Sequence, residues 1–259
     1  MYYEMIGFTA GERAVLPKPR FEPKDNVALF LDFDGSLVDL AAAPDAIDAR
    51  GVSELVGALH GVLDGRLAIV TGRSVSDLLG HVPDLPCLVY GTHGAELHAE
   101  GETIDLVPVP EALDAMCEAA AKFRQLHPGL RLERKRHGFV LHYRQAPELA
   151  AAVTGFLEAL VDVAPEMVLQ HSKMAVEVKA AGVCKGAAVR DAMDRFGWTD
   201  RVPVMVGDDV TDEAGMEAAQ TLGGYGVKVG EGETTARFRC DDPQDLKMQL
   251  RRLVERAHG

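Results

Sequence analysis

Four short apolar runs, each followed by a Gly-rich polar loop, lie along the chain at 26–31, 66–70, 87–90 and 201–206. Continuous apolar runs of this length are typical of strands that are buried on both faces, as in a parallel sheet. Leu, Ala and Val recur at the three- and four-residue spacing of helices in 51–63, 185–196 and 211–220. The alternation predicts an α/β fold with a doubly wound, Rossmann-like parallel sheet, whose ligand lies beyond the carboxyl ends of the strands.

The middle of the chain carries a different pattern. A strand-like stretch and two stretches of helical spacing occupy 103–109, 111–126 and 147–161, respectively. Two further stretches alternate apolar and polar residues around a turn, which is typical of β-hairpins. They are 130–144, around His137-Gly138, and 167–179, around Ser172-Lys173. This order predicts a small α+β layer inserted into the parallel domain.

We therefore predict two domains. The catalytic core comprises residues 1–105 and 182–259, and the inserted α+β cap, or lid, comprises residues 106–181. The first twenty-odd residues contain three prolines, which predict an irregular lead-in. A chain of 259 residues is long enough to bury a core without disulfide or metal staples.

Net charge restricts the partners that the chain can bind. Asp and Glu number 40 against 27 Lys and Arg, which gives a formal charge of −13. Such a surface repels nucleic acid and anionic lipid, because both require clustered positive charge. We expect neither partner, and an anionic substrate would need a local basic patch or a bound cation.

Cysteine usage and apolar run lengths bear on location. The four cysteines are scattered without a C-x-x-C pair, which is typical of reduced thiols. No apolar run approaches the ~20 residues that cross a bilayer, and the first residues lack the pattern of a signal peptide. We expect a cytoplasmic protein with no membrane partner. The sequence does not indicate the oligomeric state, and a monomer is compatible with it.

Two aspartates follow the first apolar run. Asp32 and Asp34 are separated by one residue, so on an extended chain their side chains leave the same side. Adjacent carboxylates repel each other unless a proton or cation intervenes, and Mg²⁺ in proteins is held by one or two carboxylates. The alternative is a pair of turn-forming aspartates, because Asp-Gly is also a turn signal.

A second acidic cluster follows the run at 201–206, in GDDVTDE. Asp209 or Thr211 could cap the next helix, which is the ordinary alternative to a functional role. One cap accounts for one residue, whereas Asp208, Asp209 and Asp212 all follow a predicted parallel strand. We expect this cluster to converge on the first.

Three more residues are candidates for anion or substrate binding. Thr71 offers a hydroxyl and backbone N–H groups near a helix start, which suit a phosphoryl oxygen, although Thr also caps helices. Lys185 precedes a helix and could stabilise an anion, although a lone lysine there is usually solvated. His93, between two glycines in GTHGAE, lies near the substrate or is a turn residue without contacts.

The predicted cap carries basic residues in an acidic chain. Five of them lie within 131–144. On strands, Glu133 and Lys135 share one face, as do Glu177 and Lys179. Such charges either bind the hydroxyls of a sugar or form a solvated hairpin edge that discourages strand pairing.

The motifs DFDGS, VTGR, CKG and GDDVTDE, in this order and spacing, resemble those of the haloacid dehalogenase superfamily of phosphohydrolases. The loop GTHGAE, the pair LERK and LHYR, and the stretch EVKAAGVCKG resemble the trehalose-6-phosphate phosphatases. The resemblance covers roughly residues 26–230. Ser36 stands where these families have Thr and keeps the hydroxyl. Cys184 stands where Asn is usual and leaves Lys185 in place.

The resemblance implies a covalent mechanism. Asp32 would be the nucleophile that forms an aspartyl-phosphate. Asp34 would protonate the departing sugar oxygen and then activate water. Thr71 and Lys185 would hold the phosphoryl group during transfer.

The resemblance also implies Mg²⁺ as the cofactor. The groups around the ion would be Asp32, the backbone carbonyl of Asp34, Asp208 and Asp209. Whether Asp208 or Asp209 is the direct ligand stays open. The residues that the resemblance implies for substrate binding are Gly72, Arg73, His93, Glu133, Lys135, Arg144, Glu177 and Lys179.

The implied function is Mg²⁺-dependent hydrolysis of trehalose 6-phosphate to trehalose and phosphate. One alternative is a related phosphatase that acts on sucrose phosphate or mannosylglycerate phosphate. A second is a phosphosugar mutase, which would return the phosphoryl group to a sugar. A third is a receiver-like signalling domain that is phosphorylated on Asp, but such domains are about half this length and lack an insert of this size.

Overall fold

The computed structural model describes residues 16–22, 26–40, 47–172 and 174–258. The strands within them are β1 Val27–Leu31, β2 Leu67–Val70, β3 Leu88–Gly91, β4 Glu96–Ala99, β5 Glu102–Asp105, β6 Arg131–Lys135, β7 Gly138–His142, β8 Met167–Ser172, β9 Ala175–Ala180, β10 Val202–Gly207, β11 Tyr225–Val229 and β12 Phe238–Cys240. The α-helices are α1 Val52–Val62, α2 Val75–His81, α3 Leu113–Leu126, α4 Ala150–Val161, α5 Lys185–Arg195, α6 Val210–Thr221 and α7 Pro243–His258. Most of the predicted lead-in lies outside the described residues.

An eight-stranded sheet positions the candidate site. Its order is β12-β11-β10-β1-β2-β3-β4-β5, parallel from β12 to β3 and antiparallel from there on. The four predicted strands are its central members β10, β1, β2 and β3. Leu31 of β1 lies beside Val206 of β10 and Ile69 of β2. Because these strands are parallel, the polar residues that follow them meet at one edge of the sheet.

Strand β1 is apolar at every position because both of its faces are buried. Leu29 and Leu31 pack into a core on one face of the sheet, together with residues of α1, α2 and α7. Ala28 and Phe30 pack into a separate core on the other face, with residues of α5 and α6. Alternate side chains of a strand leave opposite faces, so a strand covered on both sides needs a continuous apolar run. The predicted doubly wound α/β fold is confirmed.

The antiparallel edge of this sheet differs from the prediction. The predicted strand 103–109 extends only to Asp105 in β5, because the following residues leave the sheet towards α3. All four residues of β5 are exposed, so this strand forms a solvated edge hairpin with β4 and does not pack into the core. Helices α2 and α7 and strands β4, β11 and β12 lie in segments for which we predicted no element.

A second sheet has the order β6-β7-β9-β8 and is entirely antiparallel. Phe139, Leu141, Val176 and Val178 project from one face into a core formed with α3 and α4. The opposite face carries Glu133 and Lys135 of β6 and Glu177 and Lys179 of β9, because side chains alternate between faces along each strand. This layer runs from α3 to β9, within the range 106–181 predicted for the insertion.

One predicted hairpin turn is displaced by one residue. We predicted a turn at His137-Gly138, but Gly138 is the first residue of β7 and the turn is formed by Arg136 and His137. A Cβ atom at position 138 would overlap the backbone carbonyl of Val178 in β9. The glycine therefore serves close strand approach rather than the turn. In the other hairpin, Lys173 lies outside the described residues.

Two further observations concern location. All four cysteines are free, with Cys87, Cys117 and Cys240 buried and Cys184 partly exposed. Among the described residues, the helices are too short or too polar to cross a bilayer.

Candidate active site

The site is built on the carboxyl ends of three adjacent strands. Asp32 follows β1, Thr71 follows β2 and Asp208 follows β10. The backbone N–H of Asp32 donates to the carbonyl of Val206, which continues the β1–β10 ladder to the edge of the sheet. The predicted convergence of the two acidic clusters is therefore present.

A buried lysine joins these clusters. The Nζ of Lys185, at the first residue of α5, lies 2.5 Å from Asp32 Oδ1 and 2.6 Å from Asp212 Oδ1. Burial alone would lower the pKa of Lys185, but the charges and hydrogen bonds of the two carboxylates outweigh burial and raise it. Lys185 is therefore a fixed cation and not the solvated lysine of the ordinary alternative.

One lysine does not neutralise the carboxylates. Oxygens of Asp32, Asp208 and Asp212 lie within 4.8 Å of one another. Burial and the charges of Asp212 and Asp208 raise the pKa of Asp32 despite Lys185. Burial and Asp212 raise the pKa of Asp208 to about 6. An all-oxygen donor set with excess negative charge fits a hard divalent cation.

Gly35 brings Asp208 next to the first cluster. Its φ of 80° lies in the left-handed region, which residues other than glycine rarely adopt. A Cβ atom at this position would overlap the carboxylate of Asp208. The glycine of D-x-D-G thus permits both the turn and the close approach of the second acidic cluster.

The other two aspartates of GDDVTDE shape the end of β10. Asp212 Oδ2 accepts the backbone N–H groups of Asp208 and Asp209, at 3.1 and 3.0 Å. Asp209 is the N-cap residue of α6 and its side chain is exposed. The structure thus brings Asp208 and Asp212 to Asp32, while Asp209, which we predicted near the ion, lies outside the group of three.

Asp34 lies beside the cluster and is held by Arg73. Its two oxygens accept hydrogen bonds from Nε and Nη2 of Arg73 at 2.7 and 2.8 Å. Nη1 of Arg73 contacts Asp77, in the first turn of α2, at 2.6 Å. The resemblance implies that Arg73 binds substrate, and the structure places its guanidinium between Asp34 and Asp77.

The loop 71–73 is fixed by the segment after β3. Thr71 is fully buried, and its hydroxyl accepts the backbone N–H of Arg73 at 3.1 Å. The backbone N–H groups of Thr92 and His93 donate to the carbonyls of Arg73 and Thr71, at 2.7 and 2.8 Å. A hydroxyl held in this way at a strand end is positioned for a phosphoryl oxygen.

The charged face of the second sheet meets this loop. Lys135 Nζ lies 3.3 Å from the carbonyl of Gly72 and 2.9 Å from Glu177. Glu177 also lies 3.5 Å from Nε2 of His93. Burial would raise the pKa of Glu177, but the hydrogen bond from His93 and the charge of Lys135 hold it at about 2. Gly72, His93, Lys135 and Glu177, which the resemblance implies for substrate binding, thus form one group.

The remaining predicted residues of the cap lie on the same face with one exception. Lys179 contacts Gln170, and Glu133 contacts His142 at 3.0 Å. Arg144 is exposed in the turn after β7, six residues beyond Gly138. It therefore lies beyond the end of β7, and none of the described hydrogen bonds or ion pairs joins Arg144 to the group at Gly72.

Two residues of this region were missed. Gln170 in β8 contacts Lys179, and its residue type carries no signal in the sequence. Lys228 in β11 is buried and its Nζ donates to the backbone carbonyl of Asp208. A lone lysine within the apolar stretch GVKVG was a usable signal, because lysine is almost never fully buried unless it is paired.

A cavity of about 340 Å³ lies between the two sheets. Its lining includes His93, Gln170, Lys179, Lys185 and Thr211. The cavity therefore joins Lys185 to the charged face of the second sheet. It is large enough for a small polar ligand that touches both.

Comparison with known proteins agrees with this geometry. The trehalose-phosphatase family matches residues 30–244. A trehalose-6-phosphate phosphatase of Escherichia coli is 34% identical over 222 residues, 85% of this chain and 83% of the relative. A solved trehalose-6-phosphate phosphatase related protein is 28% identical with a TM-score of 0.76, over 88% of this chain and 96% of its own. A haloacid dehalogenase-like hydrolase from Bacteroides thetaiotaomicron is similar in fold, with a TM-score of 0.65 at 15% identity over 88% and 98% of the two chains.

Proposed function

This chain belongs to the trehalose-phosphatase family, and from that premise we propose that it hydrolyses trehalose 6-phosphate to trehalose and inorganic phosphate. The observation that carries the proposal is the placement of Asp32. It is buried at the end of β1, bonded to Lys185 and next to two further carboxylates. The cavity beside it reaches the charged face of a second sheet, as a substrate that is part phosphate and part sugar requires.

Asp32 is the nucleophile in this proposal. Its carboxylate attacks phosphorus, the bond from phosphorus to the sugar oxygen breaks, and an aspartyl-phosphate forms. Lys185 keeps the carboxylate in place and offsets the charge of the incoming phosphoryl group. Thr71, at the end of the adjacent strand, holds a phosphoryl oxygen.

Asp34 is the general acid and then the general base in this proposal. It donates a proton to the departing sugar oxygen, then takes one from the water that attacks the aspartyl-phosphate. In the structure Arg73 donates a hydrogen bond to each oxygen of this carboxylate, so one of the two bonds has to open before Asp34 can carry the proton that it donates. We propose that Arg73 is a positioning residue for Asp34 rather than a sugar ligand.

We propose that the cation is Mg²⁺. Asp32 and Asp208 fit as its ligands, and Asp212 contributes the third carboxylate and fixes the backbone of Asp208. When bound, the ion neutralises the carboxylates and the phosphate, so that two anions can approach each other. The backbone carbonyl of Asp34 completes the set that the resemblance implies.

The second sheet is proposed as a lid, residues 106–181, over a core of 1–105 and 182–259. Glu133, Lys135, Glu177 and Lys179 present charged groups on one face of this sheet, where they suit the hydroxyls of a disaccharide. A closed lid excludes water from the aspartyl-phosphate until the sugar departs. The four free thiols support a reducing, cytoplasmic location.

Phosphate release across a panel of sugar phosphates tests the proposal. With Mg²⁺ present, trehalose 6-phosphate should have the highest kcat/KM, above sucrose 6-phosphate, mannosylglycerate phosphate and glucose 6-phosphate. A higher value for another member would assign a different sugar. Transfer of the phosphoryl group to a second sugar, without free phosphate, would make the protein a mutase.

A further inference from the structure

We infer that His93 determines specificity by accepting, at Nδ1, a hydrogen bond from one hydroxyl of the substrate's sugar. Glu177 holds the opposite ring nitrogen. The inference rests on the proposed function, since it concerns the sugar of the same substrate. It assigns a chemical role, acceptor only, to one atom of the site.

The backbone at His93 is held in an unfavourable conformation. Thr92 and His93 have φ values of 48° and 57°, in the left-handed region that favours glycine. The two N–H groups that donate to the loop 71–73 belong to these residues. Left-handed residues other than glycine persist where surrounding structure fixes them, and they cluster at functional sites.

The imidazole is held from two sides. A Cβ atom at position 72 would lie 2.8 Å from its Cε1 and 3.0 Å from its Nε2, so the ring packs directly on Gly72. On the other sheet, Glu177 lies 3.5 Å from Nε2. The ring also lines the cavity that contains Lys185 and Lys179.

The tautomer follows from Glu177. This residue is ionised, because its pKa is about 2, and a carboxylate only accepts hydrogen bonds. The Nε2 that faces it therefore carries the proton. Burial lowers the pKa of His93, which keeps the imidazole neutral and leaves Nδ1 as an acceptor. This Nδ1 is buried and has no hydrogen-bond partner among the described residues.

A buried acceptor without a donor is rare in folded proteins and needs a partner. A phosphate dianion cannot supply one, because it has no proton to donate and would repel the nitrogen lone pair. A sugar hydroxyl can. A substrate without that hydroxyl leaves Nδ1 unpaired, which should lower kcat/KM by about ten- to a hundredfold.

The test combines two variants with substrate analogues. His93→Asn can place an amide oxygen near the position of Nδ1, and His93→Gln can place an amide nitrogen near that of Nε2. The substrates are trehalose 6-phosphate and analogues in which one hydroxyl of either glucose unit is replaced by hydrogen or by fluorine. We measure kcat/KM for each pair, and a melting temperature for each variant.

We expect the wild type to discriminate against one deoxy analogue by tenfold or more. The fluorine analogue should be equally poor, because fluorine cannot donate a proton. His93→Asn should retain this discrimination, and His93→Gln should treat parent and deoxy analogue alike. If His93 only packs on the loop and contacts Glu177, His93→Gln should retain the discrimination and His93→Asn should lose it. That result would overturn the inference.

Two results with the wild type are independent of how the variants fold. Equal rates for all deoxy analogues, or a rate restored by fluorine, would show that no hydroxyl donates to His93 while leaving the phosphatase proposal intact. Failure to hydrolyse trehalose 6-phosphate itself would instead reject the proposed function, and the inference with it.

Discussion

Asp32 lies in surroundings that oppose its ionisation. Burial and the charges of Asp212 and Asp208 raise its pKa, and the charge and hydrogen bond of Lys185 act in the opposite direction. Asp32→Asn should lower kcat by roughly a thousandfold or more, because an amide is not a competent nucleophile. The same change removes a buried charge, so the melting temperature in EDTA should stay equal or rise.

Phosphate release and thermal unfolding of Asp32→Asn check both halves of this prediction. Appreciable residual turnover would remove Asp32 from the role of nucleophile. A large fall in melting temperature would show that the bond to Lys185 is worth more to folding than the repulsion that it offsets.

Asp208 and Asp209 are adjacent, but their surroundings differ. Asp208 belongs to the group of three carboxylates, whereas Asp209 begins α6 with an exposed side chain. Asp208→Ala should weaken Mn²⁺ binding, measured by electron paramagnetic resonance, by tenfold or more. Asp209→Ala is the matched control and should change Mn²⁺ binding by less than about threefold. Equal losses in the two variants would place Asp209 at the ion as well.

At the scale of single elements, we expect the charged face of the second sheet to contribute to sugar binding and not to phosphoryl transfer itself. Lys135→Ala should lower kcat/KM for trehalose 6-phosphate by about ten- to a hundredfold, since a charge-assisted hydrogen bond is lost. p-Nitrophenyl phosphate has no sugar hydroxyls and should be affected less.

Lys122→Ala is the matched control for this experiment. Lys122 lies on α3 in the same layer, and it pairs with Glu118 at the surface. It should leave both substrates within about twofold. If Lys135→Ala affects the two substrates equally, its contact with Gly72 supports the loop rather than the sugar.

The four central strands, which are apolar runs buried on both faces, could be predicted from the sequence. The interior strand β11 was missed because Lys228 interrupts its apolar run, and the edge strand β5 was predicted with an end that lies too far along the chain. The run of β1 is apolar throughout because both sides are covered, whereas β5 is exposed at every residue. The turn at Gly138 was misplaced because a glycine required for strand approach cannot be told from a turn glycine by type alone.

The residues of the site likewise include some that could be predicted from the sequence and some that could not. Asp32, Thr71, Lys185 and Asp208 stand at strand or helix ends, where local sequence fixes their place. The partner of Arg73 could not be predicted, because a guanidinium reaches several carboxylates and the three-dimensional fold selects Asp34. Arg144 shares its hairpin with Lys135, but strand length carries it away from the loop.

At the scale of the whole molecule, the contact between the two sheets includes a buried carboxylate, Glu177, whose protonation changes with pH. Glu177 has a pKa of about 2, below its ordinary value of 4.5. A lowered pKa contributes stability that is present above pH 4.5 and is lost as the pH falls towards 2. Wild type should therefore lose roughly 2 kcal/mol more than Glu177→Gln between pH 6 and pH 3.

Urea unfolding of both proteins at several pH values measures this difference. Glu133→Gln serves as the comparison, because Glu133 is more exposed and contacts His142 rather than the core. Parallel stability curves for wild type and Glu177→Gln would mean that this carboxylate does not couple the sheets.

The central claim is that trehalose 6-phosphate transfers its phosphoryl group to Asp32 and then to water. Rapid acid quench of the enzyme with ³²P-labelled trehalose 6-phosphate and Mg²⁺ tests it most directly. We predict labelled protein within the first turnover, discharged by hydroxylamine as an acyl phosphate is, and absent from Asp32→Asn. Labelled inorganic phosphate released at the full rate without any labelled protein, or label retained in Asp32→Asn, would contradict the account.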